Sequence, residues 1–265
     1  MHDVLLRERH DKTIVLTLNE PEARNPLSDA LVDSLIGALS AINGDPSVSC
    51  VVITGAGSAF CSGGNLKDMR AGTGMFGGTP AQMRATYMSQ IQRIPRAMYE
   101  LEVPAIAAVN GPAAGAGCDL AMMCDLRIAA TAASFAESFL RVGLISGDGG
   151  AWFLPRAVGL ARACEMAFTA DPVSAEKAAA WGMVNDIVQP ERLQEAALSL
   201  AARITRHPPE ALRLMKRLLR DGMQGTLHHN LDLAALMQSA LQHSSDFREA
   251  IAAIFEKRSP VFQGR

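Results

Sequence analysis

Paired cysteines are missing from this chain of 265 residues. Cys50, Cys61, Cys118, Cys124 and Cys164 are an odd number, and none stands in CxxC spacing. That excludes a disulfide scaffold and a cysteine zinc site, and their small or apolar neighbours predict buried, reduced thiols. An excess of basic charge is missing as well. Lys plus Arg number 25 against 27 Asp plus Glu, a net charge of −2. A dedicated nucleic-acid binder needs a basic face, so that class is excluded. There is no apolar run of about 18 residues, hence no expected transmembrane helix. The opening MHDVLLRERHDK is too charged for a signal peptide. Together these absences lead to the expectation of a soluble cytoplasmic protein that binds neither nucleic acid nor membrane.

The familiar nucleotide and metal signatures are absent too. VVITGAG has the look of a strand ending in GxG, but the third glycine of a dinucleotide fingerprint falls on Phe60. The chain then continues into Ser62-Gly63-Gly64 rather than a helix. No Walker loop and no HExxH occur. His228-His229 reads as a helix surface pair, because no matching carboxylate or histidine cluster accompanies it.

What is present is ordinary globular material, 49% hydrophobic and 20% charged. The first part reads as β. Residues 4–9 and 13–18 form a hairpin joined at His10-Asp11. A polar loop over 19–26 precedes Ser28, an N-cap for a helix with apolar Leu31, Leu35, Ile36 and Leu39. After the turn at Asp45-Pro46, the valine-rich run 48–54 has the pattern of a strand covered on both faces. Residues 71–80 are half glycine and proline, which predicts a mobile segment. A helix over 82–99 is expected to break near Pro95. Residues 105–110 are a second buried strand, 126–130 a third and 134–136 a fourth. Between them, GPAAGAGCDLAMMCD should end in a short apolar helix. From Gly143 the pattern turns helical, with helices near 151–158, 160–168, 175–181, 191–205, 208–221, 226–243 and 246–257. Asp246 and Glu249 have capping-box spacing. No linker divides the chain.

Two glycine-rich loops follow buried strands, Ser62-Gly63-Gly64-Asn65 and Gly115-Ala116-Gly117-Cys118. Small residues let a ligand approach the backbone closely. The second loop opens a helix, whose free N–H groups and dipole favour negative charge. Donors from both loops could hold one oxygen of developing charge, as an oxyanion hole does. The alternative is a pair of tight strand-to-helix turns with no ligand.

LNEPEARNPLS, VVITGAGSAFCSGGNLKDM, PAIAAVNGPAAGAGCDLAMMCDLRIAA and VGLISGDGGAWFLPRAVG followed by AEKAAAWGMVNDIV resemble the crotonase, or enoyl-CoA hydratase/isomerase, family. The resemblance implies an α/β fold, a spiral of ββα turns with a helical C-terminal trimerisation region. On that expectation residues 1–200 are the core with the active site, and 201–265 serve oligomerisation and cover the pocket. It implies a homotrimer or a dimer of trimers, an acyl-CoA thioester as substrate, and neither a tightly bound cofactor nor a metal. By motif, the Gly64 and Ala116 N–H groups would polarise the thioester oxygen. Ala116 stands where many relatives have glycine. The same carry-over puts Ala23, Arg24, Ser62, Asn65, Leu66, Lys67 and Gly117 along the CoA, with Lys257 reaching a phosphate from the last helix. Arg24, Lys67 and Lys257 read equally as solvated surface charges.

The hydratases of the family carry two glutamates, and this chain departs at both. The first is Asp119, one methylene shorter, in GAGCDL. It could instead be a first-turn charge complementing the helix dipole. The second falls on Phe139, which transfers no proton. Glu137 lies two residues earlier, and in extended backbone i and i+2 face the same way about 6.5 Å apart. It could thus supply the second acid, or bond only locally. Asp148 in SGDGG is a third candidate, although the aspartates of some relatives align one residue earlier, on Gly147, and a turn aspartate among glycines is common for backbone reasons. Trp152, Trp181, Met122 and Met123 read as core or pocket wall. The expectation is an enoyl-CoA hydratase. The alternatives are an isomerase or a thioester or C–C hydrolase on the same fold, or a CoA-binding member with impaired catalysis.

Overall fold

The structure, a computed structural model, describes residues 3–264. Strands β1 (Leu5–His10) and β2 (Thr13–Leu18) pair antiparallel, and Asp11 takes the left-handed turn position at φ 52°. Helix α1 (Asp29–Asn43) is capped by Ser28, whose Oγ accepts from Leu31 N–H. It buries Leu31, Val32, Leu35, Leu39 and Ile42, while Ile36 is only half-buried. Full burial of each large side chain is worth about 1.5–3 kcal/mol.

Strand β3 (Cys50–Gly55) lies parallel to β2 and to β4 (Ala105–Val109). Between them come α2 (Leu66–Ala71), α3 (Pro80–Ser89) and α4 (Arg93–Glu100). The segment read as mobile holds the final residue of α2, a 3₁₀ turn over Gly74–Phe76, and the Thr79 cap and first residue of α3. The break expected near Pro95 falls earlier, between Ser89 and Arg93. Pro95 sits in the first turn of α4, where its missing N–H has no helical acceptor to lose. Next come β5 (Pro112–Ala114), α5 (Ala116–Met123), β6 (Leu126–Ala130) and β7 (Ser134–Ala136). The part read as all-helical holds α6 (Gly150–Val158), α7 (Leu160–Thr169), β8 (Val173–Ser174), α8 (Ala175–Ala180) and β9 (Asp186–Val188). Strands of two and three residues are too short to show a period, so pattern alone passed over them. Helices α9 (Leu193–Thr205), α10 (Pro209–Gly222), α11 (Leu227–Gln242) and α12 (Ser245–Glu256) complete the chain.

The larger sheet runs β1-β2-β3-β4-β6-β9 and the smaller β5-β7-β8. After β3, the chain steps from the first sheet toward the second at Cys61, which bridges Ala113. It steps again from β4 to β5 and from β6 to β7, with β5 parallel to β7. Each step is one ββα turn of a spiral. The large sheet is apolar on both faces: Val51 and Ile53 face the main core, and Cys50, Val52, Ile106 and Ile128 face Leu193, Ala197 and Ala201 of α9.

Helix α10 is tied to this body by cations. Arg213 donates to the carbonyls of Asp45 and Val48, and Lys216 to that of Val103 at 2.6 Å, with Asp125 at 2.7 Å. The expected capping box at Asp246 is absent: Ser244 caps α12, and the buried Asp246 carboxylate accepts from Gln263 and Gly264 N–H. Four cysteines are buried, but Cys164 is half-buried. Among the described residues, no helix is long and apolar enough to cross a membrane.

Candidate active site

The two glycine loops meet backbone to backbone. Gly63 has φ 79°, and a Cβ there would stand 2.5 Å from the Ala114 carbonyl and 3.0 Å from Ala116 N. Only glycine allows that approach. Asn25 braces the first loop from below. Fully buried, its amide donates to the carbonyls of Ala56 and Ala59, and its Oδ1 accepts from Glu20 N–H. Gly115 precedes α5 with φ 52°, so Ala116 takes the first helical position, where no intrahelical acceptor exists. Among the described residues, neither Gly64 N–H nor Ala116 N–H donates to a protein group. A Cβ on Gly117 would collide with the Cys61 carbonyl, so close packing already dictates glycine there.

One turn into α5 stands Asp119, fully buried. Glu137 follows β7, and Asp148 sits in the turn before α6; both are buried. The three buried carboxyls are close enough to influence one another's acidity, and Ser146 Oγ stands between Asp119 and Asp148. Burial is the first cause raising all three acidities' midpoints. Repulsion from Glu137 adds to it at Asp119, and repulsion from Asp119 at Asp148, which is pushed up to about 9. Two oxygens, Asp119 Oδ1 and Glu137 Oε1, are buried without an N–H or O–H donor. Two carboxyls this close relieve the conflict by sharing a proton.

Glu137 and Phe139 do not lie in extended backbone as expected. The strand ends at Ala136, and Ser138–Val142 winds into a 3₁₀ helix. Both side chains nevertheless line one cavity of about 400 Å³. Its remaining wall is almost wholly apolar: Leu140, Leu144, Ile145, Leu154, Leu160 and Phe168 belong to it, with Cys164 at its side. Trp152 is not core, being 41% exposed with its ring stacked under Arg156, but with Met122 and Met123 it lines a second cavity.

Of the remaining expected ligand-binding residues, all but Lys257 lie on the first loop or on the segments joined to it. Ala23 ends a 3₁₀ turn, and Arg24 follows with φ 62°. Ser62 N–H donates to the Arg24 carbonyl, which joins this segment to the loop. Asn65 caps α2 by accepting from Lys67 N–H, and Leu66 and Lys67 are exposed beside it. Lys257 caps α12 and is exposed; no described hydrogen bond or ion pair ties it to the Gly64 loop.

Sequence reasoning passed over Ser146. Its Oγ donates to Asp119 Oδ2 at 2.9 Å, stands 3.4 Å from Asp148 Oδ1, and accepts from Gly150 N–H at 2.8 Å. A serine in a glycine-rich turn carries no signal of its own. The clue available was its position between Asp119's helix and Asp148. Gly150 was missed for the same reason. Among the described residues, no group of three or more His, Cys, Asp or Glu side chains is arranged to hold a metal ion.

Residues 8–265 match a family model described as enoyl-CoA hydratase/isomerase. The chain is 38% identical over 251 residues to a probable enoyl-CoA hydratase of Rhodobacter capsulatus, covering 95% of this chain and 94% of the other. It is 36% identical over 266 residues to 1,2-epoxyphenylacetyl-CoA isomerase of Escherichia coli, with both chains covered in full. The crystal structure of an enoyl-CoA hydratase from Bacillus anthracis superposes with a TM-score of 0.92 at 33% identity, covering 99% of this chain and 100% of that one.

Proposed function

The chain belongs to the enoyl-CoA hydratase/isomerase family, and we propose that it is an enoyl-CoA hydratase, adding water reversibly across the 2,3 double bond of a 2-enoyl-CoA. The observation that carries this reading is the buried Asp119–Glu137 pair, with Glu137 lining an apolar cavity, together with two unpaired backbone donors on loops that meet backbone to backbone. The Gly64 and Ala116 N–H groups receive the thioester oxygen, where negative charge builds as water attacks C3. Such a donor is worth about 3–4 kcal/mol in the barrier. The pair holds one proton between its members. One carboxylate takes a proton from the attacking water while the other carboxyl delivers one to C2, so hydroxyl and hydrogen are both accounted for. Phe139 contributes apolar wall rather than acid–base chemistry.

The nucleotide end of the substrate is assigned to Ala23, Arg24, Ser62, Asn65, Leu66 and Lys67; Ser62 N–H ties the 23–24 segment to the loop, and Asn65 caps the helix that follows it. Lys257 belongs to this set only if substrate binding or a neighbouring subunit brings it there. A homotrimer, or a dimer of such trimers, is supported by the exposed apolar side chains of the last helices, among them Leu227, Leu231, Leu236 and Phe255. The same reading gives residues 201–265 to assembly; within the single chain none of the described ones lines the cavity beside Glu137, so any cover they give it comes from a neighbouring subunit.

A second reading, double-bond isomerisation, is favoured by the same shared proton, since one acid suffices to move a proton between C2 and C4. The relative named an isomerase supports it. Loss of the conjugated thioester absorbance of crotonyl-CoA, followed by product analysis, separates the two. A 3-hydroxyacyl product that disappears in both Asp119→Ala and Glu137→Ala supports the hydratase. A moved double bond on a longer enoyl-CoA without hydroxyl product supports the isomerase. Free CoA, or no turnover with CoA still bound, overturns both.

A further inference from the structure

Ser146 has one hydroxyl hydrogen and two carboxylates within reach, 2.9 Å away at Asp119 and 3.4 Å at Asp148. Its oxygen already accepts from Gly150 N–H at 2.8 Å. Whichever carboxyl receives the hydroxyl hydrogen, the other has to bring a hydrogen of its own or stand unpaired. The closer contact fixes the direction: Ser146 Oγ–H donates to Asp119 Oδ2. Asp148 then fits the remaining lone pair of Oγ as a protonated acid. A hydroxyl accepts twice and donates once, so Ser146 is saturated by Gly150, Asp148 and Asp119.

We infer that Ser146 is a positioning residue that relays a proton between Asp148 and Asp119. In each transfer the Asp148 O–H bond breaks as an O–H bond forms at Ser146 Oγ. The original Ser146 hydrogen passes to Asp119 Oδ2, and the serine ends as the same neutral hydroxyl. Asp148 is thereby a proton store behind the Asp119–Glu137 pair. It need not touch substrate: Ser146 and Glu137 line the cavity and Asp148 does not.

The surroundings suit this arrangement. The titratable groups facing it are Glu137 and Cys118 near Asp119, and Cys61 and Tyr87 near Asp148. None of these is a cation that would hold Asp148 ionised. The turn is fixed from outside by Gln92 of the α3–α4 connection, whose side-chain amide donates to the Gly147 carbonyl at 2.8 Å. From the inside it is fixed by the Gly150 N–H bond, so Oγ is held between the two acids by backbone geometry.

The role in turnover rests on the hydratase reading above, but the proton link does not, so the test has two arms. The first uses the substrate-free protein labelled with ¹³C at aspartate carboxyls, with Asp119→Asn and Asp148→Asn spectra to assign the signals. In the wild type, the Asp119 and Asp148 carbons are expected to move through the same pH steps. In Ser146→Ala the steps should separate by about one pH unit or more, and Ser146→Thr, which keeps a hydroxyl, should restore them. The second arm measures crotonyl-CoA hydration. Ser146→Ala and Asp148→Asn should each lower kcat by about 10²-fold with KM within about two-fold, and their double variant should lose no more than Ser146→Ala alone. Ser146→Thr should recover most of kcat. Unchanged carboxyl titrations in Ser146→Ala overturn the relay, as do losses that multiply in the double variant. If Ser146→Ala does not fold, the near-isosteric Ser146→Cys, whose thiol is a weak donor and acceptor, takes its place: separated Asp119 and Asp148 steps support the relay and shared steps overturn it. A wild type that shows the shared titration but no hydration sinks the hydratase reading and leaves the relay standing.

Discussion

Gly150 faces Asp119 so closely that a Cβ at position 150 would run into the carboxylate itself. Helix α6 therefore begins on a residue with no side chain because the acid of α5 occupies the space. Gly150→Ala should displace the Asp119 carboxyl by a fraction of an ångström or more. The expected outcome is a loss of about 10²-fold in crotonyl-CoA hydration, with about 1–3 kcal/mol of stability lost to overpacking. Steady-state kinetics and thermal unfolding of the same preparation check both figures. Full activity would show that Asp119 tolerates displacement, against a part in the reaction.

Gly64 allows its backbone donor to be tested apart from its side-chain space. A Cβ at Gly64 would meet only the mobile end of Met69, at 2.6 Å, and the Phe76 ring edge at 3.6 Å. Gly64→Ala should therefore keep activity within several-fold. Gly64→Pro removes the N–H and should lower kcat by about 10²–10³-fold. Equal effects of the two substitutions would mean that the N–H group is not what matters at this position.

Stability should depend on pH in a direction set by Asp148. Its carboxyl is pushed up to about 9, chiefly by burial and then by the charge of Asp119. The folded chain thus keeps a proton that the unfolded chain releases near pH 4. The stability this confers is complete below about pH 4 and is lost as pH rises toward about 9. Asp119 and Glu137, also raised, act in the same sense. Asp148→Asn should gain melting temperature relative to wild type as pH rises from 5 to 9, about 2–4 °C for each kcal/mol recovered. A gap that stays constant across that range would show that Asp148 does not hold a proton in the folded state.

Asn25 carries a structural prediction. Its fully buried amide bonds four backbone groups, Glu20 N–H and the carbonyls of Ala56, Ala59 and Phe60. Asn25→Ala removes these bonds, leaving, among the described residues, only the Ala59 carbonyl with a second donor in Asn110, and also forces alanine to hold φ near 54°. A loss of about 3–5 kcal/mol in chemical denaturation is expected. Binding of CoA should weaken with it, because the segment over residues 19–26 braces the Gly63-Gly64 loop. A loss below about 1 kcal/mol would mean that water replaces the side chain.

Periodicity made most of this fold legible. The Ser28 cap, the two-sided strand β3 and the helices of the C-terminal half lie where the residue pattern puts them, because hydrophobic spacing and caps are local properties of the chain. What escaped were elements too short to have a period, β5, β8 and β9, and residues whose type has several uses. Pro95 was read as a helix breaker but starts a helix. Ser146 and Gly150 looked like ordinary turn residues. Phe139 and Glu137 were expected on one face of a strand, and they share a cavity through a 3₁₀ turn instead.

The sequence by itself determined the family and the order of the longer elements, and its glycine loops and helix start are why the Gly64 and Ala116 N–H groups have no backbone acceptor among the described residues. Only the tertiary structure decided that Asp119, Glu137 and Asp148 form one buried cluster with Ser146 among them. Those residues come from a helix, a strand end and a turn in successive passages of the spiral. Their proximity is set by how the two sheets and α5 and α6 stack, and no local pattern of side chains records that distance.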